Sequence, residues 1–241
     1  MNTDRRTFLK TAIAAGGAIT IAPGVFLVAE AEAEAKPAEE PFSPKQRWGL
    51  LIDSSRCRAG CSSCVEACQK EQGWHSDNLG AADPQWIRKV EASDPRTGVS
   101  ISLPVMCQHC AHPPCVDVCP TGASFRRVDG IVQVDRHLCI GCRYCMMACP
   151  YRARSFVHEN IDDQRTHTPR GKGCVEACNL CSHRVDTGGG PACAEACPEG
   201  AMTFGDLNDP NSAISQALHK HHAVQLRPEL KLDNGVQYLG I

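Results

Sequence analysis

The sequence predicts an α+β fold, with modules in tandem made of short helices, β-hairpins and long loops. Three observations predict it. Of the 241 residues, 17 are cysteine, and all but Cys174 fall into four dense groups. Three Trp, three Tyr and six Phe are thin material for an apolar core, so metal centres or disulfides are expected to help hold the chain. A strong two-residue hairpin signal, Asp129-Gly130, separates two of the groups. The formal net charge of -2 gives no basic field, and no nucleic-acid partner is expected.

In chain order, residues 1–35 are expected to be an export signal outside the fold. Arg5 and Arg6 precede an uncharged stretch from Thr11 to Ala29, and Ala29, Ala31, Ala33 and Ala35 follow in A-x-A register. This is the pattern of a twin-arginine signal and predicts a periplasmic protein. A membrane anchor is the alternative, weakened by Gly16, Gly17, Pro23 and Gly24. Passengers on this route usually fold and take up cofactors before export. That favours a metal cofactor over an extracellular disulfide scaffold.

Trp48 to Asp53 reads as a short strand leading into group one, Cys57, Cys61, Cys64 and Cys68. Group two is Cys107, Cys110, Cys115 and Cys119; group three is Cys139, Cys142, Cys145 and Cys149; group four is Cys178, Cys181, Cys193 and Cys197. Group three, CIGCRYCMMACP, matches the bacterial ferredoxin pattern C-x2-C-x2-C-x3-C-P, in which the fourth cysteine ligates the neighbouring cluster. Structural zinc needs two C-x2-C knuckles and has no use for a third nearby thiol. Four such groups, three of them ending in Cys-Pro, therefore favour iron-sulfur clusters over zinc or disulfides. CVEAC, CVDVC, CMMAC and CAEAC close the groups as an internal repeat, which two modules of two clusters each would explain.

Between groups two and three, Ala123–Val128 and Ile131–Val134 read as strands around the Asp129-Gly130 turn. Groups two and three are therefore expected to share an inner module, 107–157. Groups one and four are left for an outer module, 36–106 with 174–210, closed by pairing Trp48–Asp53 with Ala201–Gly205. Residues 158–173 form a linker insertion and 211–241 a tail. Four ligand sets follow. The first is Cys107, Cys110, Cys115 and Cys149; the second is Cys139, Cys142, Cys145 and Cys119. The third is Cys57, Cys61, Cys64 and Cys197; the fourth is Cys178, Cys181, Cys193 and Cys68. Group one departs from the pattern, with an extra residue after Cys57 and Gln69 in place of proline. Cys174 competes with Cys178 for group four, because GCVEAC repeats the closing turn of group one. Cys178 is preferred for its C-x2-C knuckle, leaving Cys174 a free thiol near that cluster.

From about Arg47 onward the chain resembles the four-cluster iron-sulfur subunits of the molybdopterin oxidoreductase and polysulfide reductase superfamily. RWGLLID, CQHCAHPPCVDVCPTGA, DGIVQVDRHLCIGCRYCMMACPY and CSHRVDTGGGPACAEACPEGAMTFGDLNDP carry the resemblance. Within that superfamily it is most similar to the exported iron-sulfur subunit of the sulfite-reduction-associated membrane complex; tetrathionate and polysulfide reductase subunits are close. The resemblance implies four [4Fe-4S] clusters, electron transfer without catalysis, and docking on a multi-helix quinone-binding membrane subunit. A multihaem c-type cytochrome or a molybdopterin catalytic subunit is the further partner it implies. An enzyme binding substrate at an open iron would need a missing ligand, and none is missing.

Other residues carry weaker expectations. Gly60, Gly141 and Gly188–Gly190 let backbone N–H groups approach sulfur, or serve ordinary turns. Tyr151 shields a cluster from water. His109 and His112 pack beside group-two ligands, or tune them. His219, His221 and His222 sit at the solvated end of a helix starting near Asn211. The polar segments 78–102 and 158–173 read as loops that dock partners, so that deleting 80–98 would spare the clusters.

Overall fold

A computed structural model describes residues 19–22, 25–27, 42–75, 84–98, 100–162 and 164–241. The export signal expected at 1–35 lies outside them, apart from β1 (Ile19–Ala22) and β2 (Val25–Leu27), which pair antiparallel. Among the described residues no helix is long and apolar enough to cross a membrane. Phe42–Ile241 forms one packed unit.

The centre of that unit is β3 (Trp48–Asp53), whose Leu50, Leu51 and Ile52 are all buried. A near-continuous apolar run of this kind suits a strand covered on both faces. The expected partner is found as β10 (Met202–Asp206), antiparallel from Met202↔Ile52 to Asp206↔Trp48. On the other side of β3 lies β11 (Val236–Leu239), in parallel. The segment 211–241 is thus an integral part of the central sheet, which corrects its reading as a tail. Tyr238 is fully buried there and its hydroxyl donates to the Pro104 carbonyl oxygen at 3.2 Å. Helix Ala213–Lys220 is capped by Ser212, which accepts the Ser215 N–H at 3.2 Å. His219, His221 and His222 stand in solvent at its far end.

The segment read as a docking loop is a hairpin. β4 (Ile87–Ser93) and β5 (Ser100–Met106) pair from Ile87↔Met106 to Ser93↔Ser100. Ile101, Leu103 and Val105 alternate as a strand should, and Asp94 accepts the Arg96 and Gly98 N–H groups to close the turn. Pro104 disguises the strand, but a two-stranded sheet has only edges, where proline is tolerated. Trp86 and Ile87 join Trp74, Leu50, Ile52 and Tyr238 in the main core. Deleting 80–98 therefore cuts into the core.

The inner hairpin forms as read but is shorter. β6 (Ser124–Arg126) pairs with β7 (Val132–Val134), and Gly130 takes φ +93° in the turn. Arg127 pins that turn, binding Asp129 at 2.6 Å and Asp186 at 2.7 Å. Residues 158–173 run between β8 (Ser155–Phe156) and β9 (Val175–Glu176), which pair with each other. They are no free linker: buried Arg170 forks onto Glu176 at 2.8 and 2.9 Å and donates to the Gly73 carbonyl at 2.7 Å.

Candidate functional site

Each cysteine group ends in the same local device. A helix carries the third cysteine near its start, and the last cysteine follows four residues later. Cys64 and Cys68 ride on Ser63–Gln72, and Cys115 and Cys119 on Pro114–Asp117 and its end. Cys145 and Cys149 do so on Tyr144–Ala148, and Cys193 and Cys197 on Ala192–Glu195. Where proline follows the last cysteine the helix stops. In group one Gln69 stands there, and the helix runs on to Gln72. The extra turn brings Trp74 and Gln72 to bear on sulfur.

The thiols ahead of each helix lie on irregular backbone. Gly141 has φ +71°, and a Cβ there would sit 2.3 Å from the Gly173 carbonyl oxygen, so only glycine fits between the first two cysteines of group three. The glycines at 188–190 serve a turn: Gly189 donates to the Arg184 carbonyl at 2.8 Å and Gly190 to Glu195 Oε1 at 3.0 Å. The N–H groups aimed at sulfur come from elsewhere. Ser124 donates to Cys119 at 3.3 Å, Ala153 to Cys149 at 3.5 Å, and Ala201 to Cys197 at 3.3 Å. In each case the chain turns after Cys-Pro and returns a donor four or five residues on.

The structure gathers thiols from distant groups around shared voids. One void is rimmed by Cys107, Cys110, Cys115 and Cys149, with Tyr151 and Arg154 in its wall. A second is rimmed by Cys57, Cys61, Cys64 and Cys197. Cys68, Cys178, Cys181 and Cys193 form a third gathering. Burial drives the Cys68 and Cys178 thiols well above the usual range, and the others of the set push them further. Of the remaining four, buried Cys145 feels Cys139, while Cys119 is half-buried and Cys142 exposed.

Thiols of one set act on those of the next. Cys64 acts on Cys68 and Cys193, joining the second void to the third gathering. Cys178 packs against both cores and feels Cys107, joining the third to the first void. Cys145 feels Cys115, joining the first void to Cys139 and its neighbours. Burial also pushes Cys64 up to about 11 and Cys110 and Cys193 up to about 12. None of the 17 cysteines is joined to another. Thiols gathered in this way are the donor set a metal would deprotonate on binding.

Side-chain donors also reach sulfur. Lys89 Nζ lies 2.7 Å from Cys57, Trp74 Nε1 donates to Cys68 at 3.4 Å, and Gln72 Nε2 to Cys181 at 3.3 Å. Arg154 Nη2 donates to Cys115 at 3.1 Å. Sequence reasoning missed all four. Lys89 was hidden in the unread hairpin, and nothing in the local sequence marks the others. Tyr151 is buried, and its hydroxyl contacts the Leu226 carbonyl and Asn234, both at 3.1 Å. His109 is buried and accepts the Val132 N–H on Nδ1 at 3.0 Å; burial, then Arg154, lowers it to about 3, so it packs as a neutral ring. His112 is exposed.

Cys174 is corrected in place. It lies beside Cys139, with its Sγ 3.3 Å from the Arg136 carbonyl, while Cys178 sits among Cys68 and Cys193. Its neighbour is thus group three, not group four.

Residues 99–207 match the model of a 4Fe-4S dicluster domain family. The chain is 39% identical over 268 residues to the Hdr-like menaquinol oxidoreductase iron-sulfur subunit 1 of Archaeoglobus fulgidus, covering 99% of this chain and 98% of that protein. It is 39% identical over 243 residues to a subunit of the tetrathionate reductase of Salmonella typhimurium, covering 100% and 90%. Protein NrfC of Escherichia coli is 42% identical over 180 residues, 72% of each chain.

Proposed function

The chain belongs to the family of ferredoxin-like iron-sulfur subunits of oxidoreductase complexes, and from that membership we propose how its residues carry electrons. It is an electron-transfer subunit with four [4Fe-4S] clusters, and not itself a catalytic one. Each cluster, when bound, takes up and releases one electron.

We assign Cys57, Cys61, Cys64 and Cys197 to one end of a relay. Cys68, Cys178, Cys181 and Cys193 follow, then Cys107, Cys110, Cys115 and Cys149, then Cys119, Cys139, Cys142 and Cys145. The outer module takes in the first two sets and the inner module, 107–157, the last two. One observation carries this: two voids, each rimmed by three thiols of one group and one thiol of a distant group. The chain's own part is to hold the sulfurs, to aim N–H donors at them, and to keep water away with Tyr151, Trp74 and the prolines.

The ends of the relay differ. Arg56, Arg58, Lys89 and Glu199 line the void at one end. At the other, Ile140, Tyr144 and Met147 flank exposed Cys142 and are themselves exposed. We place a redox partner at each. The similarity to a menaquinol oxidoreductase subunit supports a quinone-linked subunit as one of them, and we place the chain in an exported, membrane-associated complex of sulfur metabolism on the twin-arginine pattern and the sequence resemblance. Similarity over the whole chain to the tetrathionate reductase subunit supports a second reading, in which a molybdopterin catalytic subunit is the other partner. In membranes holding the intact complex, a quinol added without oxygen is expected to reduce the clusters, read by EPR. Clusters that stay oxidised with the quinol, yet reduce with dithionite, would count against the quinone link.

A further inference from the structure

We propose that Arg154 is a fixed cation shared by two neighbouring cluster sites, a positioning residue that holds both reduction potentials up together. The inference rests on the ligand sets assigned above, Cys107/Cys110/Cys115/Cys149 and Cys119/Cys139/Cys142/Cys145.

Arg154 lies just before β8, in the segment that leaves group three through Cys149-Pro150. Its side chain is buried and lines the void rimmed by the first of those sets. Nη2 donates to Cys115 at 3.1 Å, Cys145 packs in the same cluster as Cys115, and the guanidinium acts on it electrostatically. The negative groups that act on it are Cys115, Cys107 and Cys145. Nη1 is buried without a partner.

A guanidinium taken out of water needs an anionic partner to offset its lost hydration. Arg127 and Arg170 meet that need with carboxylates, Asp129 with Asp186 and Glu176. Arg154 meets sulfur instead. A neutral thiol is a poor partner for a cation, whereas a thiolate holding a cluster is an anionic one. The orphaned Nη1 fits the same picture, since this buried donor belongs to a side chain lining the space between thiols.

The direction of the effect follows from charge. Adding an electron makes an anionic site more negative, and a nearby cation in a poorly screened interior favours that form. One guanidinium donates to Cys115 of one set and acts at short range on Cys145 of the other. Its effect must therefore fall on both clusters, and it also screens each from the other's added charge. A side chain that only fills space would leave both potentials where they are.

The test uses the full chain within its complex, purified without oxygen. Arg154→Gln removes the charge and keeps hydrogen-bonding capacity; Arg154→Lys keeps the charge and loses the fork. Redox titration followed by EPR reads each cluster, and iron is counted on the same samples. With iron retained, Arg154→Gln is expected to lower two of the four potentials by about 59 mV or more, tenfold in each reduction equilibrium. Arg154→Lys is expected to recover at least half of the drop at both. Full iron with no potential moved, or only one, overturns the proposal. If Arg154→Gln loses iron, loss confined to about half of it, with Arg154→Lys fully loaded, supports a shared counter-ion. Loss of one cluster or of all four overturns it. Failure of the ligand assignment shows separately, as equal iron losses when Cys115 with Cys149 and Cys145 with Cys149 are changed to alanine, and failure of the four-cluster reading as an iron shortfall in the unmodified protein.

Discussion

Changing Cys115 and Cys149 together to alanine is expected to remove one cluster, about four irons, whereas changing Cys145 and Cys149 together removes two, about eight. The first pair is far apart in sequence and the second lies on one helix and its end. Only exchange of the last cysteine makes the distant pair the cheaper loss. The structural basis is the helix end: Cys145 lies on helix Tyr144–Ala148, while Cys149 follows it on extended backbone, φ −76° and ψ 112°. Cys145 feels both Cys115 and Cys139, while Cys149 rims the void of Cys107, Cys110 and Cys115. The same comparison applies in the outer module. Cys64 with Cys197 should cost one cluster, and Cys193 with Cys197 two, because Cys197 rims the void of Cys57, Cys61 and Cys64. Iron per chain, measured on protein recovered in the complex, checks all four. Equal losses from both kinds of pair would show that each group keeps its own four thiols.

Replacing Cys178 with alanine is expected to remove about a quarter of the iron, while Cys174→Ala leaves the iron unchanged. The two thiols sit four residues apart, and GCVEAC offers either as the first ligand of group four. Their surroundings separate them. Cys178 packs against two cores and is pushed far up by burial and by Cys68 and Cys193. Cys174 is less enclosed, and its neighbours are Cys139 and the Arg136 carbonyl. Removing Cys178 leaves Cys68, Cys181 and Cys193 with three sulfurs where four are needed. Removing Cys174 takes away a hydrogen bond to a neighbouring sulfur. Iron counts with these two changes exchanged, full for Cys178→Ala and short for Cys174→Ala, would reverse the assignment.

Much of this was legible in the chain because ligand spacing is a local property. The groups and the hairpin between two of them follow from residues close in sequence, and the pairing of Trp48–Asp53 with the strand after group four follows from which groups that hairpin leaves over. The hairpin Ile87–Met106 escaped because Pro104 and a run of charges made its alternation look like a loop. With it went Trp86, a core residue, and Lys89, which reaches Cys57. Arg154 had no signature, since its role depends on thiols brought together from two groups of the chain. The place of β11 could not be read either: its pairing with β3 bridges almost the whole described chain. Cys174 shows the opposite failure. The repeat was real, but a copied motif says nothing about which group its thiol faces.

Whether sixteen thiols hold four cubane clusters is tested most directly by chemical analysis. The protein is purified without oxygen, and iron, acid-labile sulfide and zinc are measured against protein on one sample. About sixteen irons and about sixteen sulfides per chain, with no zinc, is the predicted result. Zinc in place of iron, or thiols recovered as disulfides with no labile sulfide, would contradict it.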